Sequence, residues 1–408
     1  TRAAKEKYHG TSATSEVREF RIRMGMELDL MNLWFGKTAD YFKQFISDQT
    51  IGMARINRFD FTTLPINLLY LLYYEYRRNE KESLNFSFFE YGKNSNGNPD
   101  DDRWEMYLEL QEMYAILQRW YNDKELYHYL GFLFFNFKAQ TPFRDIYTQW
   151  KTLNSRDKFL KDIQHTIATR MLDRYLEETE KAAPDYQKCL KTMTEAISDF
   201  RENWYNNDKE LYQILILLDI FRILDSKSIK KLPTDYFTRK SGQKDGEDKE
   251  HILSQTPRKD NGEIATIKTD WEKFAQSEDF KDIRSQMQEI LNHSDAELTE
   301  QELTQLQNLL NSAGLNSIGN MVLLDLRINR SYGNADYAHK RTIIFQEYMN
   351  QKYVRPHTLA VFMKGDIDAR EATGIPLNRW TLEDIKRNTD KIAKEIGKNF
   401  NAWLTQNN

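Results

Sequence analysis

Gly319-Asn320-Met321-Val322-Leu323-Leu324 is an unbroken apolar run opened by a glycine and an asparagine. Four consecutive apolar residues behind turn formers suit a short buried strand. The run stands out because most of the surrounding sequence is patterned for helices. Two further pieces belong with it. Upstream lies Glu250-His251-Ile252-Leu253-Ser254-Gln255, a carboxylate–histidine pair ahead of a second apolar step. Downstream come Asn329-Arg330 and then Lys340, inside a segment (335–350) that reads as a helix. Taken singly, each piece reads more readily as structure than as chemistry. In order, they place a Glu-His pair, an asparagine opening a strand, a second asparagine and a lysine-bearing helix within one stretch of chain.

Helical patterning dominates outside these pieces. Glycine (16) and proline (8) are scarce in 408 residues, while Leu, Glu, Lys and Gln abound. Residues from about Ser15 to Leu224 read as consecutive amphipathic helices; Trp104, Tyr107, Leu108, Met113, Leu117 and Tyr121 fall near helical spacing. Asn94 to Asp102 reads as a surface loop. Trp120-Tyr121-Asn122-Asp123-Lys124-Glu125-Leu126-Tyr127 returns in altered form as Trp204 to Tyr212. Two copies fall short of a solenoid. The echo is expected to be a way of turning one helix into the next, with an Asp cap and aromatic wedges; on this reading His128 is structural.

Composition changes at Ser226. Basic residues and four helix breakers (Pro233, Gly242, Gly246, Pro257) mark a linker into a new domain. Beyond it, 270–291 and 299–311 read as helices. Thr299 and Glu302 form the Thr-x-x-Glu capping pattern, and Thr381 is expected to cap a helix over 381–404. The expected domains are therefore a helical region over 1–225 and a second domain over 226–408. The long stretch from Thr256 to Ile318 is expected to form a helical excursion.

Composition also excludes several classes. A single cysteine, Cys189, rules out an internal disulfide framework and a cysteine-rich zinc site, and suits a reducing cytoplasm. No apolar run reaches a membrane span; the longest candidate, 211–224, is short and carries Asp219 and Arg222. The net charge of −4 gives no global attraction to nucleic acid, so such a site must rest on local clustering.

The ordered set resembles the HNH (ββα-metal, His-Me finger) nucleases, and more closely the C-terminal nuclease domain of GmrSD-type, modification-dependent restriction enzymes. The family pattern is Glu-His-Ile-Leu-Pro-Gln, then Gly-Asn-Leu-x-Leu-Leu, then Asn, then a helix with Lys. Here Ser254 replaces the proline and Met321 the leucine, and neither position supplies a chemical group. Trp380-Thr381-x-x-Asp384-Ile385 and the stretch from Arg103 to Leu133 extend the likeness. The resemblance implies a mainly α protein: a helical N-terminal region, then an HNH (ββα-metal) domain embedded among helices. It also implies a DNA endonuclease acting in restriction of foreign or modified DNA. These enzymes usually begin with a nucleotide-hydrolysing domain carrying Asp-Gly-Gln-Gln-Arg, which this sequence lacks. The chain is accordingly expected to be a fragment, with that domain or subunit as a partner and with room for a homo-oligomer.

Phosphodiester hydrolysis asks for an activated water and for charge stabilisation on the leaving oxygen. His251 is the expected base. Glu250 and the side-chain carbonyl of Asn329 are oxygen donors for a hard divalent cation, Mg²⁺ or Mn²⁺. By the family pattern Asn320 orients the histidine, and Lys340 completes the catalytic set. Arg327, Arg330 and Arg341 suit a phosphate backbone. Because strand side chains alternate, Glu250 and His251 serve one centre only if the strand twists or bulges there. The rival reading is a silent DNA-binding or assembly scaffold on the same fold.

Overall fold

The computed structural model describes residues 14–78, 83–89, 99–227, 231–239, 246–254, 256–257, 263–328, 337–364 and 378–405. It is mainly helical; the strands among these residues form one two-stranded antiparallel sheet. The chain divides into two compact units, residues 1–164 with 233–237, and residues 165–232 with 238–408. Residues 165–225 thus group with the motif-bearing segment rather than with the helices before them.

The first unit contains α1 (Thr14–Phe42), α2 (Asp48–Ile56), α3 (Asn67–Arg77), α4 (Pro99–Asn122), α5 (Lys124–Phe137) and α6 (Phe143–Leu153). Its core is aromatic. Phe45 stacks on Phe134, Tyr41 on Tyr127 and Trp120 on Phe159. The buried Tyr41 hydroxyl donates to the Tyr127 carbonyl at 2.8 Å, which meets the polar demand that burial creates. The first copy of the echo is a corner, as its sequence suggests: Asp123 accepts from the Glu125 and Leu126 amides and starts α5, while Trp120 is fully buried. His128 is buried and bonds the Lys124 carbonyl one turn back.

Helix α7 (Arg156–Leu172) spans the division. The second unit continues with α8 (Tyr186–Ser198), α9 (Asp208–Asp225), β1 (Glu247–His251), α10 (Lys268–Ala275), α11 (Arg284–Asn292), α12 (Glu300–Ser312), β2 (Met321–Asp325), α13 (Tyr337–Met349), α14 (Pro356–Met363) and α15 (Leu382–Thr405). The Thr299/Glu302 capping box forms as its spacing requires. The helix expected over 270–291 is instead two, α10 and α11, with a turn at 278–280 between them. Arg284 explains the break. Its guanidinium donates to the carbonyls of Ala275, Gln276 and Ser277, capping α10 and directing α11 away. Trp271, Phe280, Met287, Leu306 and Leu310 then bury their side chains in the core that also receives Val322 and Leu324 of β2. The segment between the strands is therefore a helical excursion sharing the core of the sheet.

Helix α15 runs beside α8 and against the 318–320 turn that precedes β2. At Gly319 a Cβ would collide with the Ile385 carbonyl and with the backbone and hydroxyl of Thr389. Two of those atoms are backbone and cannot rotate aside. Gly319→Ala is expected to destabilise the unit by ~1–3 kcal/mol or more through overpacking, read as a lowered melting temperature.

Candidate active site

The two strands pair in a continuous five-residue register, from Glu247 opposite Asp325 to His251 opposite Met321. This register shows no bulge, so adjacent side chains leave opposite faces. Glu250 and His251 accordingly take different partners. His251 lies against the ring of Tyr205, with centroids 4.7 Å apart, and its Nε2 is 2.9 Å from Asn316 Oδ1. Glu250 accepts from Lys340 Nζ at 2.9 Å. Lys340 also donates to the His251 main-chain carbonyl at 2.7 Å, so one ammonium ties the two motif residues together.

Lys340 is fully buried, whereas the Glu250 side chain stays partly open to solvent. Burial lowers the Lys340 pKa, and the Glu250 charge opposes that shift.

The bond from Asn316 assigns the state of the histidine. Asn316 Nδ2 donates to Asn311 Oδ1 at 2.6 Å, so its Oδ1 is the acceptor facing His251. Nε2 then carries the proton, and in neutral imidazole Nδ1 keeps the lone pair that a base needs. The main chain of Asn316 is fixed in turn by the Trp204 amide, which donates to its carbonyl at 2.9 Å.

Asn320 is wholly buried and clamps the backbone just past the histidine. Its Oδ1 accepts from the Leu253 amide at 2.8 Å, and its Nδ2 donates to the carbonyls of Leu253 and Leu315. The main chain adds a bond from the Ile252 amide to the Asn320 carbonyl. Asn320 therefore sets the course of the chain after His251.

Beneath the site, Arg355 joins the sheet to two helices. It forms a two-pronged pair with Glu247 at 2.7 Å and reaches Asp219 of α9 at 2.8 Å. Asp219 also accepts from the His357 amide at the start of α14. All three charged side chains are 2 % exposed or less. Burial pushes the Asp219 carboxyl up to about 6 against the pull of Arg355.

Lys340 thus touches both motif residues, at the Glu250 carboxylate and at the His251 main-chain carbonyl, while the Glu250 and His251 side chains take different partners and Asn320 fixes the chain beyond. Asn329 and Arg330 lie outside the described residues. Arg327 pairs with Asp325 two residues earlier, and its side chain is 63 % exposed. Arg341 donates to the Phe362 carbonyl and lies over the Phe345 ring, so its guanidinium serves the packing of α13 on α14. Among the described residues no three His, Cys, Asp or Glu side chains gather as a metal cage. Glu250 offers one carboxylate, and Lys340 lies on its Oε1. A cation there would take few protein ligands, which suits an ion that keeps several waters, as Mg²⁺ does.

Two site residues escaped the sequence reading. Tyr205 belongs to the second copy of the echo, which the pattern presents as a helix corner. Its ring carries His251 on one side, and Lys249 Nζ lies 4.0 Å from its centroid. Asn316 lies in a polar stretch that carries no motif. Asn316→Ala is expected to lower turnover ~10–100-fold, because the imidazole loses the partner that sets its tautomer. Asn316→Asp would keep the acceptor, and its carboxylate would hold the imidazolium form. The rising limb of the pH–rate profile should then move to higher pH, which mere loosening of the fold does not produce.

The family described as GmrSD restriction endonucleases, C-terminal domain, matches residues 194–395. None of the curated proteins and none of the solved structures compared matches the chain.

Proposed function

We propose, on the premise that the chain belongs through residues 194–395 to the GmrSD restriction endonucleases, that its second unit hydrolyses phosphodiester bonds of foreign or modified DNA. A restriction-endonuclease role follows from the family; the reaction and its residues are our reading of the site. The observation that supports it most directly is the assigned histidine. Asn316 holds the Nε2 proton of His251 and so leaves Nδ1 as the basic nitrogen, at the end of the strand that carries Glu250.

In this reading His251 accepts a proton from the attacking water at Nδ1. Tyr205 and Asn316 hold the ring in place, and Asn320 holds the chain that carries it. Lys340 balances the Glu250 charge and fixes the His251 carbonyl. Glu250 and Asn329 would hold a divalent cation, Mg²⁺ or Mn²⁺, since both offer hard oxygen donors, with the twist of the strand, which carries no bulge, turning Glu250 toward the His251 side. When bound, that ion would stabilise charge on the phosphate and on the leaving oxygen. Arg327, Arg330 and Arg341 are our candidates for backbone contacts, with Arg327 the most exposed of those described. Among the described residues no helix is long and apolar enough to cross a membrane. We place the reaction in the cytoplasm, with a nucleotide-hydrolysing domain or subunit as partner and a homo-oligomer as an open assembly.

Plasmid nicking at low salt tests the reading. Conversion of supercoiled DNA to open-circle or linear forms, dependent on Mg²⁺ or Mn²⁺ and abolished by chelation, is the expected result. Retention of DNA with no cleavage, with or without the nucleotide-hydrolysing partner, would turn the assignment to a silent DNA-binding scaffold.

A further inference from the structure

The second copy of the corner motif carries out a task that the first does not. In the first copy Asp123 caps α5 and pairs with Arg156 at 2.9 Å. Its counterpart Asp208 opens α9, where the N-cap residue, Asn207, makes no capping bond through its side chain. The Asp208 carboxylate accepts instead from Lys249 Nζ, which also donates to the Tyr205 carbonyl. The same ammonium lies over the Tyr205 ring, 4.0 Å from its centroid. Lys249 thus meets Tyr205 twice, at its main chain and at its ring.

Strand alternation brings this lysine to the histidine. Lys249 and His251 stand two residues apart on β1, so their side chains leave one face of the strand. Tyr205 lies across that face, its ring meeting the imidazole with centroids 4.7 Å apart and planes 21° apart. A cation over an aromatic ring is drawn to the ring quadrupole, more strongly where water is excluded. The Lys249 side chain is only 12 % exposed, and its amide donates to the Tyr212 hydroxyl of α9 at 3.1 Å. Both ends of the lysine are therefore fixed. From the same corner the Trp204 amide holds Asn316, whose Oδ1 takes His251 Nε2. Residues 204–208 thus reach the imidazole by two routes, its flat face and its Nε2, and the first runs through Lys249.

We propose that Lys249 is a positioning residue for His251: tied to Asp208, it holds the Tyr205 ring against the imidazole and so keeps the base aimed at its water. The consequence for turnover rests on the nuclease reading above, whereas the stack itself does not. Displacement of a reacting group by ~1 Å can cost ~10²-fold in rate, so the seat of the ring matters as much as its chemistry.

The test compares three variants of the full chain with wild type. Lys249→Met keeps the aliphatic stem and removes the charge. Lys249→Arg keeps a cation over the ring, and Asp208→Asn removes the carboxylate that ties the lysine down. In metal-dependent plasmid nicking, Lys249→Met is expected to lose ~10-fold or more in kcat with KM nearly unchanged. Lys249→Arg should recover most of that loss, and Asp208→Asn should fall between. Melting temperatures should stay near wild type, because an ion pair with a 58 % exposed carboxylate contributes little. Should Lys249→Met melt early, Asp208→Asn, altered at the surface, carries the same comparison. A rise in KM alone would overturn the proposal and make Lys249 a contact to DNA; full activity in Lys249→Met would overturn it too. Histidine labelled with ¹³C reads the stack without turnover. In metal-free protein at pH ~9, where imidazole is neutral, the His251 ring protons carry the ring-current shift of Tyr205. Their signal is assigned by its absence from His251→Gln. Lys249→Met should move it toward that of unstacked imidazole, and Lys249→Arg should not. An unmoved signal would overturn the proposal whatever the activity. A moved signal in a chain that never nicks plasmid would sink the nuclease reading and leave the positioning of the ring standing.

Discussion

His251→Ala is expected to abolish metal-dependent plasmid cleavage, a loss of ~10²–10⁴-fold, the usual contribution of a positioned proton acceptor. The physical case rests on what surrounds the ring. One face lies against Tyr205 and Nε2 is held by Asn316, so the position binds an imidazole in one orientation and one tautomer. A merely structural histidine would be replaceable by a side chain of similar shape and polarity. His251→Gln offers such a side chain and should be as inactive as the alanine variant, while its melting temperature stays near that of wild type. Full cleavage by either variant would remove His251 from the mechanism. The Asn316→Asp profile guards against the opposite error, in which activity falls only because the strand end has loosened.

Arg355→Met is expected to be the most damaging single change in the second unit. Removing one partner of a buried ion pair typically costs ~3–5 kcal/mol, because the remaining charge stays buried without compensation. Here two carboxylates, Asp219 and Glu247, would be left facing each other. For a domain of this size that is a fall of ~6–20 °C in melting temperature. The pH dependence has a definite sign. Burial already raises the Asp219 carboxyl to about 6, so it takes up a proton more readily folded than unfolded. Stability drawn from a raised carboxyl is present at low pH and lost as pH rises through the folded value. Without the guanidinium that rise should be larger. The variant should therefore be closer to wild type near pH ~5 than above pH ~7. A deficit that grows on acidification would show that Arg355 does not balance these carboxylates.

Sequence is most telling where one short segment decides the outcome. The capping box at Thr299 and Glu302, the Asp123 cap and the Met321-to-Leu324 strand each depend on residues a few positions apart. That Lys340 meets Glu250 and the His251 main chain is also foreshadowed, because the order of the three along the chain survives as a motif. Sequence is silent where the deciding partner is distant or unremarkable in type. Arg284 splits an otherwise periodic helix by capping carbonyls eight or nine residues away. Asp219 shows in the sequence only as a charge interrupting an apolar run; its meaning comes from Arg355, 136 residues later. Tyr205 repeats Tyr121 in pattern, yet only one of the two meets a histidine at a strand end. No periodicity distinguishes Asn316 from its polar neighbours.

The turn at Gly319 also has a consequence in time. Its glycine is pressed against Ile385 and Thr389 of the last helix, and Asn320 beside it holds the chain past the histidine. During synthesis His251 is made first, the Asn320 that holds its chain later, and the helix that seats Asn320 later still. A nascent chain that has already produced His251 lacks the wall on which the site closes until residues 385–389 have left the ribosome. The site proposed for hydrolysis is therefore complete only once that stretch of the helix has been made.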